Sequence, residues 1–299
     1  MFEYYALFVF ITLLGPLNSI YLMKKYQLAT GTSLKSNVLY CFINGVVSAV
    51  VPAIVMAVRR VPFQTTPYSV LMALGLVLSS AIHTVAVFKA YEKGQIAVVN
   101  IFSTVGNIIF SCLWGVIVLG EKLSVVGLIA IIMMLSSVVL IQHKGTNQKT
   151  DFKLLWLYAI IILSTSATSI LSKQHQVETT FATVDTLSFS VWVGALRAIV
   201  FAVITPFMMM SKKHNKQIVV SKKPIFYAIA SSAVSGGSYI ISLFTSKMLP
   251  IVITSPLSTG LGILMSTALP WLLFHEKLSR RQIVAAGLSL VGAVMFVIG

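Results

Sequence analysis

The chain has 299 residues, of which 57% are hydrophobic and only 10% are charged, and its formal net charge is +15. Soluble globular domains carry about 25% charged residues, so this composition excludes an ordinary soluble protein. Most Lys and Arg residues lie at the ends of apolar runs, where membrane proteins anchor and orient their helices. The positive charge therefore does not indicate a nucleic-acid partner.

Apolar segments of membrane-spanning length follow one another along the whole chain. In order they are Tyr4–Met23, Asn37–Val58, Tyr68–Phe88, Gln95–Leu119, Leu123–Ile141, Leu154–Leu171, Leu187–Met210, Pro224–Phe244, Ile251–Phe274 and Gln282–Ile298. The connections between them are short, which predicts that neighbouring segments pack antiparallel. We therefore predict an all-α membrane protein with ten transmembrane helices.

The second half of the chain repeats the first. Moving the sequence by 155 positions places Ser69–Lys144 on Pro224–Gly299 without a gap, and Glu121–Ser124 then fall on Glu276–Ser279. Each half holds five spans, and this odd number gives the two halves opposite orientations in the membrane. We predict two inverted five-helix repeats, residues 1–145 (helices 1–5) and residues 146–299 (helices 6–10), an architecture typical of secondary transporters.

The charge of the loops predicts an orientation. Connections after helices 1, 3, 5, 7 and 9 carry 16 Lys and Arg residues, whereas those after helices 2, 4, 6 and 8 carry five, Lys173 among them. Because basic loops stay in the cytoplasm, the first set is predicted to be cytoplasmic and both chain ends to be outside.

Polar side chains in the middle of the spans are the candidate substrate-binding residues, because such groups are expensive in lipid and face the bundle interior. Arg197 in helix 7 has no acidic residue at a similar depth, and the repeat places Asn44 within a residue or so of it. Structural hydrogen bonding or core packing remains the alternative for each candidate. The predicted binding residues are Asn18, Asn44, His83, Asn100, Asn107, Trp192, Arg197, Tyr239 and Thr259.

Titratable residues inside the spans are few. His83 is the only histidine well inside a predicted span, so it is the candidate for proton coupling. Glu121 and Glu276 are predicted to cap helices 5 and 10, where a carboxylate near a helix start is favoured. Four residues after His275, where a zinc-protease motif has its second histidine, the chain has Ser279, so this motif is not present. No enzyme activity, metal site or cofactor is predicted.

Several stretches resemble the drug/metabolite transporter superfamily in its EamA-type, ten-helix form. They are GEKLS at Gly120–Ser124, HEKLS at His275–Ser279, the run PLSTGLGILMSTALPWLLF at Pro256–Phe274, FKAYEKGQIAVVN at Phe88–Asn100, and Arg197 within GALRAIV. The resemblance implies alternating access to a central cavity lined by helices 1–4 and 6–9, in the plasma (inner) membrane of a prokaryote. It also implies export. Members of this family mostly have both termini in the cytoplasm, opposite to the orientation that the loop charges predict.

The sequence thus predicts a secondary active transporter for a small polar metabolite, an amino acid or a related neutral or zwitterionic solute. Its partners would be this solute, the lipid bilayer and protons as the coupling ion, and both a monomer and a homodimer remain open. One alternative is a transporter of cationic drugs or quaternary amines, although all seven acidic residues fall at span ends or in loops. The other is a lipid-headgroup flippase of the same fold.

Overall fold

A computed structural model describes residues 2–31, 34–92, 96–142, 155–210, 222–274 and 278–298, and these form helices and connecting turns without a strand. The helices are α1 (Phe2–Asn18), α2 (Lys24–Thr30), α3 (Leu34–Arg59), α4 (Pro67–Glu92), α5 (Ile96–Ile117), α6 (Val125–Gln142), α7 (Leu155–Val177), α8 (Thr186–Met210), α9 (Lys222–Met248), α10 (Ile251–Phe274) and α11 (Arg280–Ile298). A π-helical segment, Ser19–Met23, joins α1 to α2, so one continuous helical rod runs from Phe2 to Thr30.

The all-α fold class is confirmed over the described residues, and a helix lies at each predicted span. The largest differences are at α2, which continues to Thr30, and at α7, which continues to Val177. Seven helical stretches are long and apolar enough to cross a membrane, and α5 and α6 contain shorter apolar stretches, Ile101–Ile117 and Val125–Leu140. These features are consistent with a multi-pass membrane protein. The predicted boundary between the repeats, at residue 145, lies outside the described residues.

The chain forms two compact units, each assembled from segments of both sequence halves. Unit 1 comprises Met1–Leu13, Ser79–Lys173 and Thr245–Gly299, and unit 2 comprises Leu14–Leu78 and Gln174–Phe244. Unit 1 thus holds α5, α6, α10 and α11, and unit 2 holds α3 and α8.

The centre of unit 2 is a close antiparallel crossing of α3 and α8. A methyl group on Gly45 would come within 2.5 Å of the Ala198 backbone nitrogen, and a methyl group on Gly194 would overlap the backbone of Ala49. Each helix therefore supplies one Gly-x-x-x-Ala motif, and the glycine of each packs on the alanine of the other. Small residues at this spacing allow membrane helices to approach closely.

Unit 1 contains a similar antiparallel seam between α6 and α11. Ser289 donates a hydrogen bond to Ser137 across the seam, with 2.8 Å between the oxygens, and both serines are buried. Ala285 and Ala293, one turn to each side of Ser289, are buried as well. The small residues of this last helix thus pack against a neighbouring helix of the same unit.

Serine side chains cap the starts of α6 and α11. The Ser124 hydroxyl accepts a hydrogen bond from Gly127 N, and the Ser279 hydroxyl accepts one from Gln282 N while the Gln282 side chain returns to Ser279 N. The second pair is a capping box, in which side chains satisfy backbone donors that a helix start leaves free. The prediction that Glu121 caps α6 is therefore wrong, because Ser124 caps this helix instead.

Glu121 instead caps α10. Its carboxylate oxygens accept hydrogen bonds from Ile251 N at 2.9 Å and Val252 N at 3.0 Å, where the positive end of the helix dipole favours a carboxylate. Gly120 has φ of +63°, a conformation that suits glycine, and it turns the chain toward α10. Gly115 leaves the space, because a methyl group there would lie 2.7 Å from a Glu121 oxygen. Glu276 lies outside the described residues.

Candidate functional site

The candidate site lies in unit 2 and is built on one polar face of α3. Tyr40, Asn44 and Ser48 recur every four residues, which places them on one side of the helix. Asn44 is the eleventh of 26 residues in α3, and Arg197 is the twelfth of 25 in α8, so both lie near the middle of an apolar helix. The Gly45–Ala198 contact brings the residues beside it together.

Arg197 and Asn44 are joined directly. The guanidinium Nη1 donates a hydrogen bond to the Asn44 side-chain Oδ1 at 2.8 Å. No carboxylate pairs with Arg197 among the residues that the structure describes. The Arg197 side chain is partly exposed rather than buried, and Cys41, one turn from Asn44, lies near the same guanidinium. A positive charge is thus held by neutral partners at the centre of unit 2.

Asn18 extends the polar face toward α9. Its amide Nδ2 donates hydrogen bonds to the Ser231 carbonyl at 3.1 Å and to the Ser235 hydroxyl at 2.9 Å. Because a carbonyl only accepts, this contact fixes the orientation of the amide. The Asn18 Oδ1 is then left buried without a partner. The Ser231 hydroxyl in turn lies 2.9 Å from the Tyr40 hydroxyl on α3.

The π-helical segment begins at Ser19, immediately after Asn18, and Asn18 itself lies two residues beyond Pro16. Proline removes one backbone donor from a helix, and π-helical turns are frequent at functional sites. The helix is therefore widened, and not ended, by the Gly15–Pro16 pair. Asn18 lies at the point where this widening starts.

Two further predicted binding residues, Tyr239 and Trp192, belong to unit 2. Tyr239 follows Ser231 and Ser235 at the same four-residue spacing on α9, so all three share one helix face. Trp192 lies five residues before Arg197, and its ring is 5.8 Å from that of Phe63 in the loop after α3. The Trp192 indole Nε1 is buried without a hydrogen-bond partner. Trp192 is therefore placed toward one end of α8 and not beside Asn44.

The remaining predicted binding residues belong to unit 1. The His83 ring lies close to the backbone of Ile161, and among the described residues its buried Nδ1 has no hydrogen-bond partner. The Asn107 Oδ1 accepts hydrogen bonds from Ser169 at 3.0 Å and from Ser111 at 3.4 Å.

The last two predicted binding residues, Asn100 and Thr259, also belong to unit 1. The Thr259 hydroxyl donates back to the Ser255 carbonyl of its own helix. Asn100 lies in α5, but its side chain is outside the described part of the chain. His83 and Asn107 thus contact other helices, whereas the Thr259 hydroxyl bonds within its own helix.

A buried ion pair in unit 1 was not predicted. Lys173, assigned to a loop from the sequence, lies inside α7 and is buried. Its Nζ donates to the Ser246 and Leu249 carbonyls, both at 2.6 Å, and lies 3.5 Å from a Glu121 oxygen. Lys173 lies beyond the end of a predicted span, so its charge was attributed to a loop. No sequence pattern links Lys173 to Glu121.

A second buried network in unit 2 surrounds His175, which also sits inside α7. The His175 Nε2 is 2.8 Å from the Ser69 hydroxyl, and its ring stacks on Phe189 with 3.6 Å between centroids. Ser69 also accepts a hydrogen bond from Val184 N. These contacts fasten the start of α4 to the turn before α8.

Glu178 lies just beyond the end of α7. Its carboxylate accepts hydrogen bonds from Thr180 N, from the Gln174 side chain and from the Tyr68 hydroxyl. These bonds, that from Thr180 N first, hold the pKa of Glu178 at about 2, below its ordinary value. Glu178 therefore stays ionised at physiological pH, in a turn outside the apolar core of the helices. Within the described ranges no group of three His, Cys, Asp or Glu residues is placed to hold a metal ion.

Comparison with known proteins gives the fold and no name. No protein family matches the chain, and no curated protein matches it. A solved structure, described only as the crystal structure of a protein, superposes with a TM-score of 0.75 over 97% of this chain and 98% of that chain, at 15% identity. At this identity the likeness shows a shared fold alone.

Proposed function

We propose that this protein is a secondary active transporter that moves a small polar metabolite, an amino acid or a related neutral or zwitterionic solute, across the plasma membrane of a prokaryote. The observation that carries the proposal is the polar cluster of unit 2, in which Arg197, Asn44 and Asn18 lie inside long apolar helices. An Arg at the centre of a membrane helix costs about 2.5–3.5 kcal/mol on insertion scales. Such residues usually mark a pathway for a solute or an ion.

The helix crossings support two inverted five-helix repeats. In the sequence repeat, α3 and α8 are the second helices of their halves, and α6 and α11 are the last. Counterpart helices related by a two-fold axis in the membrane plane run antiparallel. Both pairs cross antiparallel at small residues, and the Gly45–Ala198 contact is repeated by Gly194 and Ala49. On this basis we propose ten spans and alternating access.

The resemblance to EamA-type drug/metabolite transporters suggests export, with proton coupling through His83. The buried and unpartnered Nδ1 of His83 supports this role, because a free ring nitrogen can accept a proton. His83→Ala is expected to remove the pH dependence of transport in proteoliposomes while leaving solute binding measurable. Unchanged pH dependence would exclude His83 as the coupling residue.

Transport is tested with purified protein in proteoliposomes, using radiolabelled amino acids, sugars, nucleosides, quaternary amines and fluorescent lipids. The wild type is expected to exchange a polar metabolite faster than protein-free vesicles, and Asn18→Leu is expected to lose this exchange. Ser136→Ala is the matched control, because the exposed Ser136 hydroxyl bonds only to its own helix. Movement of quaternary amines or lipids alone, by folded protein, would replace the proposal with a cation transporter or a flippase.

A further inference from the structure

We infer that Arg197 and Asn44 form a carboxylate-binding subsite, and that the transported solute is recognised by its carboxylate. This inference rests on the proposed function and narrows it to one chemical class. Amino acids and other small organic acids share the recognised group, whereas sugars, nucleosides and amines lack it.

Around Arg197 and Asn44, hydrogen-bond donors outnumber the acceptors that the structure describes. A guanidinium carries five N–H donors, and among the residues that the structure describes one side-chain acceptor is seen for them, the Asn44 Oδ1 at 2.8 Å. Arg197 engages one lone pair of the Asn44 Oδ1, and the Asn44 amide nitrogen carries two further N–H donors. The pair therefore presents positive charge and hydrogen-bond donors, which match an oxyanion and repel a cation. The planar guanidinium fork binds a carboxylate with two parallel hydrogen bonds.

The helix crossing fixes the position of the subsite, and Arg197 is its accessible member. Gly45 and Ala198, each next in sequence to a member of the pair, are in backbone contact, so neither helix can slide without a clash. Arg197 is partly exposed, whereas Asn44 beside it is buried. A preorganised donor pair binds more tightly than a mobile one, because less conformational freedom is lost on binding.

The number of cations favours a carboxylate over a phosphate. The other described basic residues of unit 2 lie within two turns of the end of a helical rod or in a turn: Lys24, Lys25, Lys35, Arg59, Arg60, Lys222 and Lys223. Arg197 therefore supplies one positive charge at mid-helix. One charge compensates a carboxylate, whereas a phosphate monoester carries about two negative charges near pH 7.

The first test compares acids with their amides. Each amino acid and 2-hydroxy acid that is bound in a thermal-shift or scintillation-proximity assay is measured beside its primary amide and a phosphate monoester of similar size. We expect the acid to bind at least 10-fold more tightly than its amide. Equal binding of acid and amide, or tighter binding of the phosphate, would overturn the carboxylate assignment while transport of a polar solute still supported the proposed function.

The second test uses variants that separate recognition from folding. Arg197→Gln is expected to weaken acid binding about 10- to 100-fold, since hydrogen bonds to charged groups are the strong ones, and Arg197→Lys to weaken it less. Asn44→Asp supplies the guanidinium with an internal carboxylate, so the solute is expected to be displaced while the melting temperature stays equal or rises. Acid affinity within twofold of the wild type in folded Asn44→Asp protein would refute the subsite. Absence of binding and transport of every polar solute by folded wild type would instead refute the proposed function.

Discussion

The close crossing of α3 and α8 makes Gly45→Ala a sensitive test of the fold of unit 2. The new methyl group would lie 2.5 Å from Ala198 N and 2.8 Å from its Cα, where ordinary contacts begin at 3.4 Å. Since backbone atoms cannot rotate away, the two helices must separate by roughly 1 Å at this point. Overpacking of this kind costs about 1–3 kcal/mol.

The same separation would weaken the polar site. The Arg197–Asn44 hydrogen bond is 2.8 Å long, and an added ~1 Å takes it beyond the 3.2 Å limit of a good bond. The replacement also gains up to about 1 kcal/mol, because alanine favours a helix more than glycine does. Gly237→Ala is the matched control, because Gly237 lies in α9 with no atom within 4 Å of the added methyl. The helix-propensity gain is common to both variants and cancels in their comparison.

Thermal unfolding in mild detergent, combined with solute binding, measures both effects. We expect Gly45→Ala to be less stable than Gly237→Ala by about 1–3 kcal/mol and to bind solute more weakly. The double substitution of Gly45 and Gly194 should be less destabilising than the sum of the two single changes, because the first separation already makes room for the second methyl. Equal stability of Gly45→Ala and Gly237→Ala would show that the helices are not in backbone contact.

Other parts of the chain give three further predictions. Lys173→Met leaves the Glu121 carboxylate without its cation and is expected to lower the free energy of unfolding by about 3–5 kcal/mol. The double variant Lys173→Met/Glu121→Gln should lose less than the sum of the two single changes, and chemical unfolding in detergent measures all three. Arg60, the residue after α3, has φ of +55°. Arg60→Gly should raise the apparent melting temperature, because about 1 kcal/mol of left-handed backbone strain is removed. An unchanged or lower melting temperature would contradict this. The lowered pKa of Glu178 stabilises the fold above pH 4.5 and loses this effect as the pH falls toward 2, so the difference in melting temperature between wild type and Glu178→Gln should vanish over that interval.

The helices were predictable because their signal is local. A run of about 20 apolar residues is sufficient to identify a spanning helix, and the observed helix ends at α8 and α10 lie within a residue of the predicted ones. The repeat also places Asn44 and Arg197 at a similar depth of counterpart helices, but it does not by itself predict that their side chains meet. Their hydrogen bond adds the contact that the sequence could only suggest.

The missed contacts depend on distances between elements far apart in sequence. Glu121 was expected to cap the nearest following helix, but it reaches Ile251, 130 residues away, because Gly120 turns the chain and Gly115 leaves space. Lys173 was assigned to a loop, because a lone lysine beyond an apolar run normally ends a span. One carbonyl partner, Ser246, lies in the last turn of α9, and the other, Leu249, lies in the turn before α10, and no pattern near Lys173 announces them.

The α3–α8 crossing is self-complementary. Each helix supplies the same Gly-x-x-x-Ala motif, and each glycine meets the alanine of the other helix. This is the geometry of an isologous contact, the kind that two identical subunits form about a two-fold axis. One half of the sequence therefore already contains both sides of the contact, so a single half, expressed as a separate chain, has the surface needed to pair with a copy of itself. Joining two halves in one chain fixes that pairing and leaves each half free to carry different polar residues beside it, an asparagine in one and an arginine in the other.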